Sequence, residues 1–200
     1  MLYSPYNGKS IEEWSAITDQ LISNHPIKSN EIVETVIKSW NEIFKSKIGS
    51  FYIGKEIKPS PQIMGFLLHE LIAHYLSLKY TSIYKVGTEK NEKDIHCITN
   101  ESFSIEIKTS SNSKQVFGNR SYAQLQSESE QKNKDGYYIA INFEKFNAES
   151  VTPKILLIRF GYLEHTDWIA QNAATGQQAR LCPEVYKYKL KQIYPNPETV

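Results

Sequence analysis

The sequence predicts a mixed α/β fold, an α+β arrangement with one central mixed β-sheet flanked by helices, and three observations carry that prediction. Helical apolar stripes fill much of the first 80 residues, an alternating pair of segments runs from Asp94 to Thr109, and two apolar runs, Tyr137 to Phe143 and Lys154 to Phe160, come later. Helix, hairpin, helix, strand, strand is the order expected of a sheet with helices against it. A chain of 200 residues suits a single domain with one core. Within it, residues 1–59 read as an N-terminal helical region, 60–160 as the core unit and 161–200 as a C-terminal region.

The elements follow in order. Ser10 and Glu13 form a capping box, and Ile11, Trp14, Ile17, Leu21 and Ile22 recur at helical spacing to about Ser23. After the break at HPIKSN, a second helix is predicted from about Asn30 to Phe44, with Ile32, Val36, Trp40 and Ile43 in its stripe. Ser60 followed by Pro61 opens the strongest helix, whose broad apolar stripe predicts burial on most sides. That makes its polar residues His69, Glu70 and His74 informative. HELIAH is not the zinc-peptidase signature, because His69 and His74 are five apart and lie roughly 140° around the axis. Glu70 and His74 do share a face, which fits a carboxylate presented toward the hairpin, a buried Glu paired with His74 or a lysine, or an exposed stripe.

Tyr80 to Val86 reads as extended, and GTEKNEKD turns the chain into the hairpin. On its second segment Phe103, Ile105 and Ile107 fall on one face, and Ser104, Glu106 and Lys108 on the other. A three-residue loop over Thr99 to Glu101 would set Asp94 across from Glu106. Two carboxylates so placed call for a hard cation such as magnesium between them. A neighbouring lysine can hold a phosphate or orient a water that attacks a phosphodiester. The same I-E-I-K alternation also suits any sheet with one solvated face.

The loop after the hairpin carries Lys114, Asn119 and Arg120 among hydroxyls and amides, with no acid between Lys108 and Arg120. Such a loop suits phosphates and groove edges, or plain solvation. A helix is predicted from about Tyr122 to Lys134, and then come the two apolar strands, the Lys154–Phe160 run taken as central. The amide-rich C-terminal region offers Gln177, Gln178 and Arg180 as base readers. A short helix from Pro183 to Leu190 brings Lys187 as a phosphate contact.

Composition excludes several classes. Lys and Arg number 23 against 22 Asp and Glu, so a nucleic-acid partner would be held by local charge placement and not by a basic body. Cys97 and Cys182 form neither a disulfide framework nor a repeated metal-binding pair, which suggests a cytoplasmic setting. The sequence shows no signal peptide, no membrane-spanning run and no internal repeat.

The set Glu70 on a helix, Asp94 on a strand, and Glu106 with Lys108 on the next, written K-D-I…I-E-I-K, resembles the PD-(D/E)xK nuclease core. The loop KTSSNSKQVFGNRSYAQ resembles what type II restriction endonucleases of that fold carry after the motif lysine. The resemblance covers roughly residues 60 to 160, departing at Lys93, which stands where the motif has proline. It implies a restriction-endonuclease-like core. Asp94, Glu106 and Glu70 would then be ligands of Mg2+, with Lys108 orienting the attacking water. It further implies cleavage of double-stranded DNA at a specific, palindromic site with 5′-phosphate ends, a homodimer, and a cognate DNA methyltransferase. A repair or structure-specific nuclease of the same fold, or a noncatalytic DNA-binding relative, is the alternative implied.

Overall fold

The computed structural model describes residues 4–123, 133–147, 152–172 and 176–197. The N-terminal helices form where periodicity places them: α1 at Ile11–Asn24 and α2 at Ser29–Lys45. The Ser10 amide donates to the Glu13 carboxylate at 2.9 Å, closing the expected cap. A small hairpin, β1 (Lys47–Ile48) and β2 (Phe51–Tyr52), leads to α3 (Pro61–Lys79).

Ser60 holds the cap position of α3 with extended backbone and accepts from Met64 N–H through its carbonyl, while its hydroxyl makes no capping bond. The predicted burial on most sides is corrected: Met64, Leu68, Ile72 and Leu76 form one buried stripe, whereas Ile63, Phe66 and Leu78 are exposed. One stripe is what a helix lying on a single sheet face needs.

The rest of the chain builds strands: β3 (Tyr84–Val86), β4 (Ile95–Cys97), β5 (Ile105–Ser110), β6 (Phe117–Asn119), β7 (Gly136–Phe143), β8 (Ile155–Leu163), β9 (Trp168–Ala170) and β10 (Gln178–Leu181). Helix α4 (Pro183–Tyr188) and β11 (Leu190–Tyr194) complete it. Six strands form one mixed sheet in the order β11-β8-β7-β5-β4-β3, parallel between β5 and β7 and antiparallel elsewhere. The expected central mixed β-sheet flanked by helices is therefore the fold. Two placements differ from expectation. The central, wholly buried strand is β7, and β8 lies beside the edge strand β11. The short C-terminal helix stops at Tyr188, because Leu190 leaves to pair with Gly161.

The two faces of the sheet are covered differently. Tyr137, Ile139 and Ile141 of β7, with Ile105 and Ile107 of β5, pack with residues of α2 and α3 in the larger core. Tyr138 and Ala140, pointing the other way, join Val116, Trp168, Ala179 and Leu181 in a second cluster. A separate antiparallel sheet, β6-β10-β9, supplies several members of that cluster. Most of the helix predicted over Tyr122–Lys134 lies outside the described residues; its described start, Arg120–Ala123, is a 3-10 turn. No helix among the described residues is long and apolar enough to cross a membrane.

Candidate active site

Alternation along β5 sends Ile105 and Ile107 into the larger core and Glu106 and Lys108 to the opposite face. Ile95 pairs with Ile105, and one residue further in that register Asp94 stands across from Glu106. The reversal is broader than a three-residue loop. A 3-10 turn at Glu101–Phe103 follows Asn100, whose side chain accepts from Ser102 N–H at 3.1 Å. Beyond Ile95 the strands part, and the Asp94 carboxylate takes the place of a ladder partner, accepting from Ile107 N–H at 2.6 Å.

Glu106 is buried at 3% exposure, and its Oε1 receives the Lys108 ammonium at 2.6 Å and the Tyr122 hydroxyl at 2.5 Å. The Lys108 and Lys134 ammoniums lie 4.6 and 4.4 Å from the centroid of the Tyr122 ring. Burial, reinforced by the charge of Glu106, raises the Tyr138 hydroxyl well above the ordinary tyrosine range. It remains a donor, to the Lys134 carbonyl at 2.6 Å.

On α3, His69 is the side chain that reaches Asp94. Its Nε2 is 3.1 Å from Asp94 Oδ2 and its Nδ1 3.4 Å from Glu70 Oε1. Burial works against the charged imidazole, but the hydrogen bond and charge of Asp94 outweigh it and raise the pKa. Glu70 is partly exposed and meets Asp94 through His69, and His74 is exposed. Lys93, where the motif has proline, is buried and donates to the Asn133 carbonyl at 2.7 Å. Gly136 makes room for it, since a Cβ there would stand 2.7 Å from Lys93 Cε.

The residues predicted for DNA contact divide into two groups. Asn119 pairs with Gln178 across β6 and β10, and Arg120 donates to the Gln177 and Gly176 carbonyls at 2.8 and 3.1 Å. Arg180 is exposed on the same side of β10 as Gln178. Two segments about 60 residues apart in sequence are thereby joined as one strand pair. Lys114 is exposed in the loop between β5 and β6. Lys187 is apart from these, exposed on α4.

His69 and Tyr122 carried no assigned role in the sequence. For His69 the signal was present, a polar residue in an apolar helix. Tyr122 had none, since its meeting with Glu106 depends on the path of the loop.

A mixed sheet with an acid at the mouth of one strand and Glu-x-Lys on its neighbour defines a nuclease of the PD-(D/E)xK, restriction-endonuclease-like class. A family profile described as ScaI restriction endonuclease matches residues 4–194. The type II restriction enzyme ScaI of Streptomyces caespitosus is 44% identical over 193 residues, covering 96% of this chain and 85% of that protein. The chain belongs to the ScaI restriction endonuclease family, a family of type II enzymes.

Among the described residues, no group of three or more His, Cys, Asp and Glu side chains is arranged to hold a metal ion. The donor chemistry at Asp94 and Glu106 still suits a hard divalent cation. Both offer carboxylate oxygens from neighbouring strands, and such ions complete their shells with water and phosphate oxygens.

Proposed function

We propose that the protein is a magnesium-dependent endodeoxyribonuclease that acts as a homodimer on duplex DNA, hydrolysing one phosphodiester per strand at a palindromic site and leaving 5′-phosphate ends. The observation that carries this reading is the shared face of Glu106 and Lys108 with Asp94 on the adjoining strand. A two-fold dimer matches a palindromic target because the symmetry of the protein copies that of the site. A DNA methyltransferase of the same sequence preference is the companion such an enzyme requires.

Asp94 and Glu106 would hold the metal, with Glu70 as an auxiliary group reached through His69. When bound, the ion supplies charge compensation and an activated water. The protein's own part is positional and electrostatic. Lys108 keeps three N–H donors, one directed to Glu106 Oε1, and can give the others to the attacking water and a phosphate oxygen. The attacking water gives up a proton to solvent as its oxygen bonds to phosphorus and the bond to the 3′ oxygen breaks, and that oxygen leaves as a hydroxyl after taking a proton from solvent. Tyr122 and the buried surroundings of Glu106 fix the carboxylate that orients Lys108. Asn119, Arg120, Gln177, Gln178 and Arg180 would read base edges and phosphates from the β6–β10 pair, with Lys114 beside them.

The test is digestion of plasmid DNA by the purified protein. Discrete, reproducible fragments with magnesium, none with EDTA, and none from folded Asp94→Ala or Lys108→Ala protein are expected. Undiminished cutting by either variant would refute the site, and cutting confined to nicks, flaps or junctions would refute site-specific restriction.

A further inference from the structure

Arg159 of β8 faces the same side of the sheet as Lys108, since both are paired across from Ala140. It is a single charge in an otherwise apolar strand, and it is 8% exposed. A guanidinium has five N–H donors. Here Nη1 donates to Asn142 Oδ1 at 3.1 Å, and the group lies 5.1 Å from the centroid of the Tyr186 ring. No carboxylate among the described residues forms an ion pair with it. A buried cation with no counter-charge is costly, which is why buried charges are ordinarily paired. Burial alone accordingly pulls its pKa below the usual arginine value, with Tyr186 opposing weakly.

Arg159 lines a cavity of about 460 Å³ between α1, α4 and β11. Its charged lining among the described residues is Arg159, Lys187 and Lys191 against Asp19. The one acid is already engaged, 2.5 Å from the Lys191 ammonium. Lys187 is exposed at the rim, over the Tyr188 ring. Cationic donors on a preformed wall, one of them buried and lacking a counter-ion, match an oxyanion.

We propose that this cavity is a phosphate-binding site, with Arg159 as its buried anchor and Lys187 at its rim, separate from the carboxylate pair that cleaves. The phosphate can be free in solution or belong to the backbone of bound DNA, and the second source rests on the function proposed above. The same guanidinium holds Asn142, whose amide in turn binds the Asn112 and Gln115 carbonyls, so the site lies two hydrogen bonds from the loop that follows β5.

The experiment is a titration of the intact protein with sodium phosphate, followed by thermal unfolding, against sodium chloride at matched ionic strength. A saturable rise in midpoint specific to phosphate is expected. It should need about tenfold more phosphate in Lys187→Ala and be lost in Arg159→Lys, which keeps the charge but not the fork. A response equal to that of chloride, or unchanged in both variants, overturns the site. Repeating the titration on Lys108→Ala protein saturated with duplex DNA separates the sources. Loss of the phosphate response assigns the site to a DNA phosphate, and its persistence assigns it to a free anion. Because the first titration uses no DNA, failure of the nuclease reading would leave its result standing.

Discussion

The phenol of Tyr122 donates to the same oxygen of Glu106 that receives the Lys108 ammonium, at 2.5 and 2.6 Å respectively. Removing only that hydroxyl leaves the ring against Trp168, 5.0 Å between centroids. Tyr122→Phe should lose ~1.5–3 kcal/mol of stability, as expected for a hydrogen bond to a charged group. The single-turnover cleavage rate should fall about tenfold as Glu106 and Lys108 lose their fixed pose. An unchanged rate would make Tyr122 a packing residue alone.

Asn142, fully buried on β7, donates to the carbonyls of Asn112 and Gln115 at 2.7 and 2.9 Å and accepts from Arg159. It thereby ties the loop after β5 to the sheet. Asn142→Ala should cost ~2–4 kcal/mol for three bonds lost at a buried site. Asn142→Asp keeps and strengthens the bond to Arg159 but cannot donate, so it should be the more stable variant. Hydrogen exchange at the amides of Lys114 and Gln115 should nevertheless accelerate in both. Slow exchange in Asn142→Asp would show that the loop holds itself.

His25 gives the fold a dependence on pH. It is fully buried, accepting from Ile27 N–H through Nδ1 at 3.1 Å and donating through Nε2 to the Phe103 carbonyl at 3.2 Å. Burial pushes its pKa down to about 4 from an ordinary 6.5, against the raising effect of the nearby Ile27 and Phe103 carbonyls. Between those values the unfolded chain binds the proton and the folded one does not, so stability is complete above about pH 6.5 and declines toward pH 4. The loss should approach ~3 kcal/mol. Chemical denaturation at pH 7.5 and 4.5 measures it, and His25→Gln should flatten that slope.

On the β6–β10 pair, Arg180→Ala in the cleavage-deficient Lys108→Ala background should weaken DNA binding and lower the salt slope by about one if it meets a phosphate. Gln178→Ala should instead reduce the preference for the cognate site, by ~1–3 kcal/mol if it reads a base edge. Binding measured at several salt concentrations on cognate and scrambled duplexes separates the two roles.

The sequence alone determined much of the local structure. Alternation along β5 put Glu106 and Lys108 on one face, and periodicity and caps placed α1 to α3 within a residue or two. These are properties of neighbours in the chain, set by where a strand or helix points its side chains. Tertiary structure decided which distant residues meet. β6 found β10, His69 rather than Glu70 reached Asp94, Tyr122 closed over Glu106, and Leu190 left the predicted helix to become an edge strand. Short strands such as Phe117–Asn119 and Trp168–Ala170 carry too little alternation to declare themselves, and they form on either side of β10, whose Ala179 and Leu181 join Trp168 against the apolar face of Tyr138 and Ala140. That face exists only once β7 is paired on both sides, which no local pattern contains.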